Sequence, residues 1–282
     1  MILIKHINDL LKQIKIYKSQ NLNIGFVPTM GALHQGHISL IETSCNKHQV
    51  TVCSIFINPT QFNNSDDYNR YPVTIEKDIE ILEAAGCDLL FLPSIQEMYP
   101  PDDPAIIYEL GYIETLLEGK FRPGHYQGVC RIVDKLLTSI LPHTLYLGQK
   151  DYQQCMVIKK MIALKNLPVF VNVCETLREA DGLAMSSRNI QLDAAERKRA
   201  VGIIDTLTKL KAGITPGDVQ QLLQHGINNL TQQGFSVDYL EISDADTLQL
   251  IEVWDGQQKA VALAAAFINE VRLIDNLLLK NQ

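Results

Sequence analysis

Two histidines, His34 and His37, stand near the start of the chain where a strand gives way to a helix. Pro28 and Gly31 end the preceding apolar run, and apolar residues recur at helical spacing from Ile38. A helix start offers unpaired backbone N–H groups and the positive end of the helix dipole, which favour a phosphate. The pattern therefore predicts imidazole donors that stabilise charge developing on phosphorus. A surface or helix-capping role is the structural alternative.

A second stretch with chemical potential is the loop 181–189, which contains Ser186, Ser187 and Arg188 in succession after Gly182. Two hydroxyls and one guanidinium can surround a polyphosphate with neutral donors and a fixed cation. A helix N-cap or a simple turn would explain the same residues. The presence of the histidine pair in the same chain favours the phosphate interpretation.

Lys150 and three side-chain amides complete the set of candidate ligand-binding residues. Lys150 follows a predicted strand, where it adds a mobile positive charge, although a solvated surface lysine is the ordinary alternative. Asn58, Gln61 and Gln154 are neutral amides that suit a small molecule with hydroxyl and carboxylate groups, without neutralising a nucleophilic carboxylate.

Neither the GxxxxGK[ST] loop of P-loop enzymes nor the GxGxxG loop of dinucleotide-binding proteins occurs in the sequence. The donors fit in-line attack at the α-phosphorus of a nucleotide with pyrophosphate leaving. No Cys-His or Ser-His-Asp spacing argues for an enzyme-bound covalent intermediate.

The elements that must position these residues alternate between strands and helices, which predicts a Rossmann-like α/β fold with a parallel sheet and flanking helices. Predicted strands end at Pro28, Ile57, Leu92, Leu147 and Val173. Ligands of such sheets lie at the carboxyl ends of the strands. We therefore expect one edge of the sheet to gather the polar residues that follow the strands: His34, His37, Asn58, Gln61, Gln149, Lys150, Asp151, Arg178 and Asp181.

The pattern changes in the last third of the chain, which predicts two domains. Residues 1–176 are predicted to form a Rossmann-like nucleotide- and substrate-binding domain, and residues 177–282 a smaller α+β domain that carries the Ser-Ser-Arg loop. One charged helix is predicted over 193–211, followed by strands over 236–242, 259–268 and 271–274. At the other end of the chain, residues 2–17 are predicted to form an opening helix.

Composition limits the class of protein. The 282 residues are 46% hydrophobic and 20% charged, with a net charge of −7, which argues against a nucleic-acid partner because such binding needs clustered Lys and Arg. Apolar runs are too short for a membrane span, and the start is too short for a signal peptide, so we expect a cytoplasmic protein with no membrane partner. Six scattered cysteines without a CxxC pair predict buried, reduced thiols.

Five blocks in chain order resemble the pantothenate synthetase (pantoate–β-alanine ligase) family, a branch of the HxGH nucleotidyltransferase superfamily. They are PTMGALHQGH at 28–37, FINPTQF at 56–62, FRPGHY at 121–126, GQKDYQQ at 148–154 and DGLAMSSRN at 181–189. The resemblance implies a homodimeric cytoplasmic ligase that uses ATP and Mg²⁺ to join (R)-pantoate to β-alanine, with pantoate bound in the first domain. Pantoyl adenylate would be the intermediate, with AMP and diphosphate released.

The same resemblance implies roles for individual residues. Gln61 and Gln154 would bind pantoate, with Asn58 beside them, and Gln61 would also help to place β-alanine. The catalytic residues would be His37, His34, Lys150, Ser187 and Arg188. Contacts with ATP would come from Met30, Gly31, Ala32, Leu33, His34, Gln35, Gly36, His37, Gly148, Gln149, Lys150, Asp151, Leu177, Met185, Ser186, Ser187 and Arg188. Gln127 and Cys130 depart from the family pattern.

Three other functions are compatible with part of the sequence. An HxGH nucleotidyltransferase acting on a phosphorylated small molecule is the main alternative, although neutral Gln61 and Gln154 suit a phosphate-bearing acceptor poorly. A non-catalytic ATP-binding module would not need the two histidines together with Lys150. A tRNA-charging enzyme is disfavoured by the acidic composition and the chain length.

Overall fold

The computed structural model describes residues 1–104 and 106–279. The chain divides into two compact units, the first comprising Met1–Gly148 and Val157–Glu175 and the second comprising Gln149–Met156 and Thr176–Gln282. The predicted domain boundary, between residues 176 and 177, lies one residue from the division between Glu175 and Thr176. The inclusion of 149–156 in the second unit depends on contacts that the local sequence pattern does not reveal.

Within the described residues, the first unit is built on a parallel sheet of six strands, in the order β1-β4-β3-β2-β5-β6. All neighbouring strands run parallel, as predicted, so their carboxyl ends lie at one edge. The strands are β1 (Ile2–Ile4), β2 (Ile24–Thr29), β3 (Val50–Ile55), β4 (Leu89–Phe91), β5 (Thr144–Gly148) and β6 (Phe170–Cys174).

Strand β1 corrects the prediction of a helix that begins at residue 2. Residues Ile2–Ile4 pair with Leu89–Phe91, and the helix begins only at Ile7. Hydrogen bonds from Ile2 N to Asp88 O (2.8 Å) and from Leu92 N to Ile4 O (2.8 Å) extend this pairing. The partner strand lies more than eighty residues away in the sequence, so local apolar spacing does not reveal the pairing.

Helices pack against this sheet. The alignment of residues on neighbouring strands explains which side chains form the core on one face of the sheet. Val27, Cys53 and Leu90 are successive register partners on three strands, and all three are fully buried together with residues of α2 and α4. Burial of a side chain of this size contributes about 1.5–3 kcal/mol. The helices are α1 (Ile7–Ser19), α2 (Gln35–Cys45), α3 (Ser65–Asn69), α4 (Ile75–Ala84), α5 (Ile95–Met98), α6 (Glu118–Phe121), α7 (His125–Ile140) and α8 (Tyr152–Leu164).

The second unit contains an antiparallel sheet in the order β11-β10-β8, against which α10 and α11 pack. The predicted single helix over 193–211 is two helices, α9 and α10, which separate at Val201. The elements in chain order are α9 (Ala194–Ala200), α10 (Gly202–Gly213), β7 (Gly217–Asp218), α11 (Gln220–Gln232), β8 (Ser236–Asp244), β9 (Val253–Trp254), β10 (Ala260–Ile268) and β11 (Val271–Leu278). Among the described residues, no helix has the length and apolar character needed to span a membrane.

Candidate active site

His34 and His37 form a reciprocal cap at the start of α2. Gly36 N donates to His34 Nδ1 (3.2 Å), and His34 N donates to His37 Nδ1 (3.4 Å). A backbone N–H can only donate, so each Nδ1 is an acceptor, and the neutral ring carries its proton on Nε2. The two ring centroids are 4.1 Å apart. The fold therefore places two neighbouring Nε2–H donors at this helix start, and the backbone fixes their tautomer.

The loop before the helix is held by a carboxylate that the sequence analysis missed. Asp78, on α4 and only 1% exposed, accepts from Leu33 N (2.8 Å) and Ala32 N (2.9 Å). Gly31 and Ala32 have positive φ values of 82° and 50°, so the loop turns sharply here. A lone aspartate in the first turn of an amphipathic helix ordinarily indicates only a favourable dipole interaction, so the local pattern carries no signal for this role.

These bonds narrow the expectation of unpaired backbone N–H groups around the histidines, because four such groups already have acceptors. The N–H groups of Ala32, Leu33, His34 and Gly36 already donate to Asp78 or to the histidine rings. The physical reason is that folding satisfies helix-start donors with side chains whenever suitable acceptors are available. The prediction of a phosphate at this motif therefore depends mainly on the imidazole N–H groups, supported by the helix dipole.

Gln61 lies beside the histidine loop. It ends the 3₁₀ turn Pro59–Gln61 after β3, is 9% exposed, and its Nε2 lies 3.0 Å from Met30 Sδ. Asn58, predicted to contact substrate, is instead 1% exposed and donates from Nδ2 to Gln61 Oε1 (3.1 Å). The structure therefore places Asn58 behind Gln61, as a support.

The third sequence block, 121–126, supports the same turn. His125 Nδ1 donates to Gln61 O at 2.7 Å, and Arg122 Nη2 donates to the same oxygen at 3.4 Å. A Cβ at Gly128 would lie 2.2 Å from Thr60 O, so only glycine allows α7 to approach the turn this closely. This block is thereby explained by packing against the Gln61 turn.

Lys150 belongs to the 3₁₀ turn Gln149–Asp151, which directly follows β5 in the chain. Asn276 of β11, 2% exposed, holds this turn by donating from Nδ2 to Lys150 O (2.8 Å) and Gln149 O (2.9 Å). Its Oδ1 also accepts from Gln149 Nε2 at 3.2 Å. Lys150 Nζ lies 3.9 Å from Asp151 Oδ1. Asn276 lies 127 residues beyond Gln149, so the local sequence gives no signal for this contact.

The Ser-Ser-Arg loop is fixed within the second unit by two ion pairs. Arg178 makes a two-pronged bond to Asp275 (2.7 and 3.0 Å) and also donates to Gly182 O (3.1 Å). Arg197 makes a similar pair with Asp181 (2.6 and 3.1 Å), which lowers the pKa of the Asp181 carboxyl. Arg178 and Asp181 were predicted to join the polar edge of the sheet. Within the second unit both residues stabilise the loop, and each is neutralised by a nearby opposite charge.

Within this loop, the structure assigns Ser186 the capping role that the sequence left open. Ser186 Oγ accepts from Arg188 N at 3.3 Å and caps the 3₁₀ helix Ser187–Gln191. Ser187 is 8% exposed. Met185 N donates to Leu177 O (3.1 Å), which closes the loop at its base.

The predicted ligand-binding residues thus fall into two groups that the structure assembles separately. In the first unit, Met30 contacts Gln61, and His34 and His37 follow Met30 at the start of α2. In the second unit, two adjacent residues of β11 hold the Ser-Ser-Arg loop and the Lys150 turn. Asp275 binds Arg178 at the base of the loop, and Asn276 binds the turn. Gly148 ends β5, and Gln154 is half-buried on α8. The described residues contain no group of three or more His, Cys, Asp or Glu side chains suited to a metal ion.

Comparison with known proteins gives consistent results over the whole chain. A family model described as pantoate-beta-alanine ligase matches residues 2–278. A pantothenate synthetase of Bacteroides fragilis is 42% identical over 279 residues, which cover 98% of each chain.

Solved structures show the same similarity. The crystal structure of pantothenate synthetase from Thermus thermophilus superposes with a TM-score of 0.91 at 37% identity and covers 100% of both chains. A pantoate-beta-alanine ligase from Francisella tularensis, complexed with beta-gamma ATP and beta-alanine, has a TM-score of 0.84 at 37% identity, covering 100% of this chain and 99% of that one.

Proposed function

The chain belongs to the pantoate–β-alanine ligase family and condenses pantoate with β-alanine at the expense of ATP, and we propose that it does so through a pantoyl-adenylate intermediate. The reciprocal histidine pair, which follows Met30 in a loop that contacts Gln61, is the observation that carries this mechanism. The pair supplies two neutral donors suited to phosphate oxygens, and Gln61 supplies an amide suited to an organic acid. This combination matches the transfer of an adenylyl group to a carboxylate.

In the first step, a carboxylate oxygen of (R)-pantoate forms a bond to the α-phosphorus, and the bond from that phosphorus to the pyrophosphate oxygen breaks. His34 and His37 would donate from Nε2 to the phosphate oxygens as negative charge increases in the transition state. Lys150, Ser187 and Arg188 would stabilise the same charge with two cations and one hydroxyl. The remaining ATP contacts are those that the sequence resemblance implies.

In the second step, the amine of β-alanine attacks the activated carbonyl, the bond from that carbonyl to the AMP oxygen breaks, and the amine loses a proton. Gln61 and Gln154 would hold pantoate, and Gln61 would also help to place β-alanine. Asn58 would contribute through Gln61, since Asn58 is buried behind it. Burial of the intermediate would protect the acyl phosphate from water.

Three further features belong to the proposal. ATP enters as its Mg²⁺ complex, in which the metal is bound mainly by phosphate oxygens, as is usual for this ion. The enzyme is cytoplasmic and homodimeric. The family resemblance supports each of these features.

Isotope exchange between pyrophosphate and ATP tests the proposal. We expect exchange to require pantoate and to proceed without β-alanine, because adenylation is complete before the amine reacts. Net AMP production should require both substrates. AMP formed equally well without pantoate would refute the adenylate mechanism. Exchange that depends on a phosphorylated acceptor instead of pantoate would support the nucleotidyltransferase alternative.

A further inference from the structure

The orientation of the Asn58 amide is fixed by backbone groups. Its Nδ2 lies 3.1 Å from Gly128 O, which can only accept a hydrogen bond. Its Oδ1 lies 3.3 Å from Thr60 N, which can only donate. The two backbone partners therefore distinguish the amide nitrogen from the oxygen. In a flipped amide, the NH₂ group would face the Thr60 N–H donor and the oxygen would face the Gly128 carbonyl.

This orientation determines that of Gln61. The Gln61 atom that faces Asn58 Nδ2 at 3.1 Å must accept, so it is Oε1. Nε2 is then directed toward Met30 Sδ at 3.0 Å, and a thioether is a weak acceptor that a substrate oxygen can replace. Gln61 thus offers N–H donors to its ligand, which suits a carboxylate or hydroxyl oxygen and not an ammonium group.

Tyr99 completes this arrangement from the side away from Gln61. Its hydroxyl donates to Asn58 Oδ1 at 2.8 Å. Arg131 and Lys135, which both bind Asp103, lie over the Tyr99 ring with Cζ and Nζ at 4.8 and 5.6 Å from its centroid. Burial raises the pKa of Tyr99, so the hydroxyl remains a donor at working pH. The ring is therefore held by charged neighbours, while its hydroxyl donates to a buried amide oxygen that also accepts from Thr60 N and Thr60 Oγ1 (3.0 Å).

We propose that Tyr99 is a positioning residue for the acid substrate: as a third donor to Asn58 Oδ1, beside Thr60 N and Thr60 Oγ1, it helps to hold Asn58 and the Gln61 amide so that an N–H group, and not the carbonyl oxygen, meets pantoate. This inference rests on the proposed role of Gln61 in binding pantoate. The three residues form a line of hydrogen bonds within the first unit, and Tyr99 is the outermost of them.

A double-mutant cycle of Tyr99→Phe and Gln61→Ala tests the proposal, with kcat/KM for pantoate as the measurement. Tyr99→Phe alone should lower this ratio by about fivefold to tenfold, the effect of losing one neutral hydrogen bond, through a higher KM for pantoate. The KM for ATP should not change. In the Gln61→Ala background, Tyr99→Phe should have no further effect, because the amide that it positions is absent.

Tyr108→Phe is the matched control. Tyr108 is a buried tyrosine of the first unit, whereas Tyr99 is half-buried, and the Tyr108 hydroxyl donates to Asp134 Oδ2 at 2.8 Å without involving Gln61. It should leave the KM for pantoate unchanged. An equal loss from Tyr99→Phe in both backgrounds, or a parallel rise in the KM for ATP, would overturn the positioning role. If Gln61→Ala leaves kcat/KM for pantoate unchanged, the assignment of Gln61 is wrong, and the proposal is overturned with it.

A comparison of Asn58→Asp with Asn58→Ala tests the polarity of the amide independently of Tyr99. In Asn58→Asp, a carboxylate oxygen replaces Nδ2 and can only accept a hydrogen bond. The Gln61 amide would then rotate to present its NH₂ group to this oxygen, and its carbonyl oxygen would face pantoate. We expect Asn58→Asp to lower kcat/KM for pantoate more than Asn58→Ala does, among variants whose melting curves show folded protein. An equal or smaller loss in Asn58→Asp would contradict the fixed polarity.

Discussion

Replacing Asp78 with asparagine should weaken the attachment of the histidine loop to α4. The carboxylate accepts the N–H groups of Ala32 and Leu33 on separate oxygens, and Thr74 Oγ1 donates to it at 3.1 Å. Asparagine retains the shape but replaces one accepting oxygen with an NH₂ group. One backbone N–H would then face a donor in a site that is 1% exposed.

The magnitude follows from the two bonds. A hydrogen bond to a charged group contributes about 1.5–3 kcal/mol, so losing one and weakening the other should lower the free energy of unfolding by about 2–4 kcal/mol. Activity should fall as well, because the loop leads directly into His34 and His37. A displacement of the donors by a fraction of an ångström is expected to reduce kcat by about tenfold to a hundredfold.

Urea denaturation and pantothenate formation at saturating substrates measure these effects. Asp88→Asn is the matched control, since Asp88 Oδ2 also accepts a backbone N–H, that of Thr51 at 2.7 Å. Asp88 precedes β4 and lies at the opposite end of the strands from the histidine loop, so kcat should be unaffected. Wild-type stability and turnover in Asp78→Asn would refute the role of the buried carboxylate.

Three more outcomes are expected. His37→Ala and Lys150→Ala should each lower kcat by at least about tenfold, as for the loss of a transition-state donor, and unchanged turnover in either variant would remove that residue from the mechanism. Asn276→Ala should raise the KM for ATP because the Lys150 turn loses three hydrogen bonds. The control Asn229→Ala loses a hydrogen bond to Thr206 Oγ1 in the same unit and should leave this KM unchanged. The same KM for ATP in both variants would contradict the role of Asn276. Burial raises the pKa of Cys87 and Cys130 to about 12. Iodoacetamide at mildly alkaline pH should therefore label these thiols only after denaturation. Rapid labelling of the native protein would contradict their burial.

Much of the fold follows from the sequence because parallel strands buried on both faces leave a continuous apolar signature. Val50–Ile55 is buried along its whole length, as is typical of a nearly continuous run rich in β-branched residues. Ile2–Ile4 was assigned wrongly because a three-residue strand carries no periodicity of its own. The break at Val201 was missed because α9 and α10 continue one another in apolar spacing.

Local sequence also indicated candidate ligand-binding residues, since histidine, lysine and amide side chains follow the ends of the predicted strands. The residues that position these side chains carry no such local signal. Asp78, Tyr99 and Asn276 are ordinary polar residues in their own segments, and each acquires its role from a partner that lies far away in the sequence.

The sequence by itself therefore determined the parallel α/β architecture, the motif blocks and the candidate ligand-binding side chains, because hydrophobic periodicity and residue type are local properties. The tertiary structure alone decided which groups are donors. It fixed the histidine tautomers through backbone N–H groups, engaged the helix-start N–H groups that the sequence suggested were open, and set the polarity of Gln61 through Asn58. Hydrogen-bond direction depends on the partner of each atom, and for Asp78, Asn58 and Asn276 that partner is known only once the chain has folded.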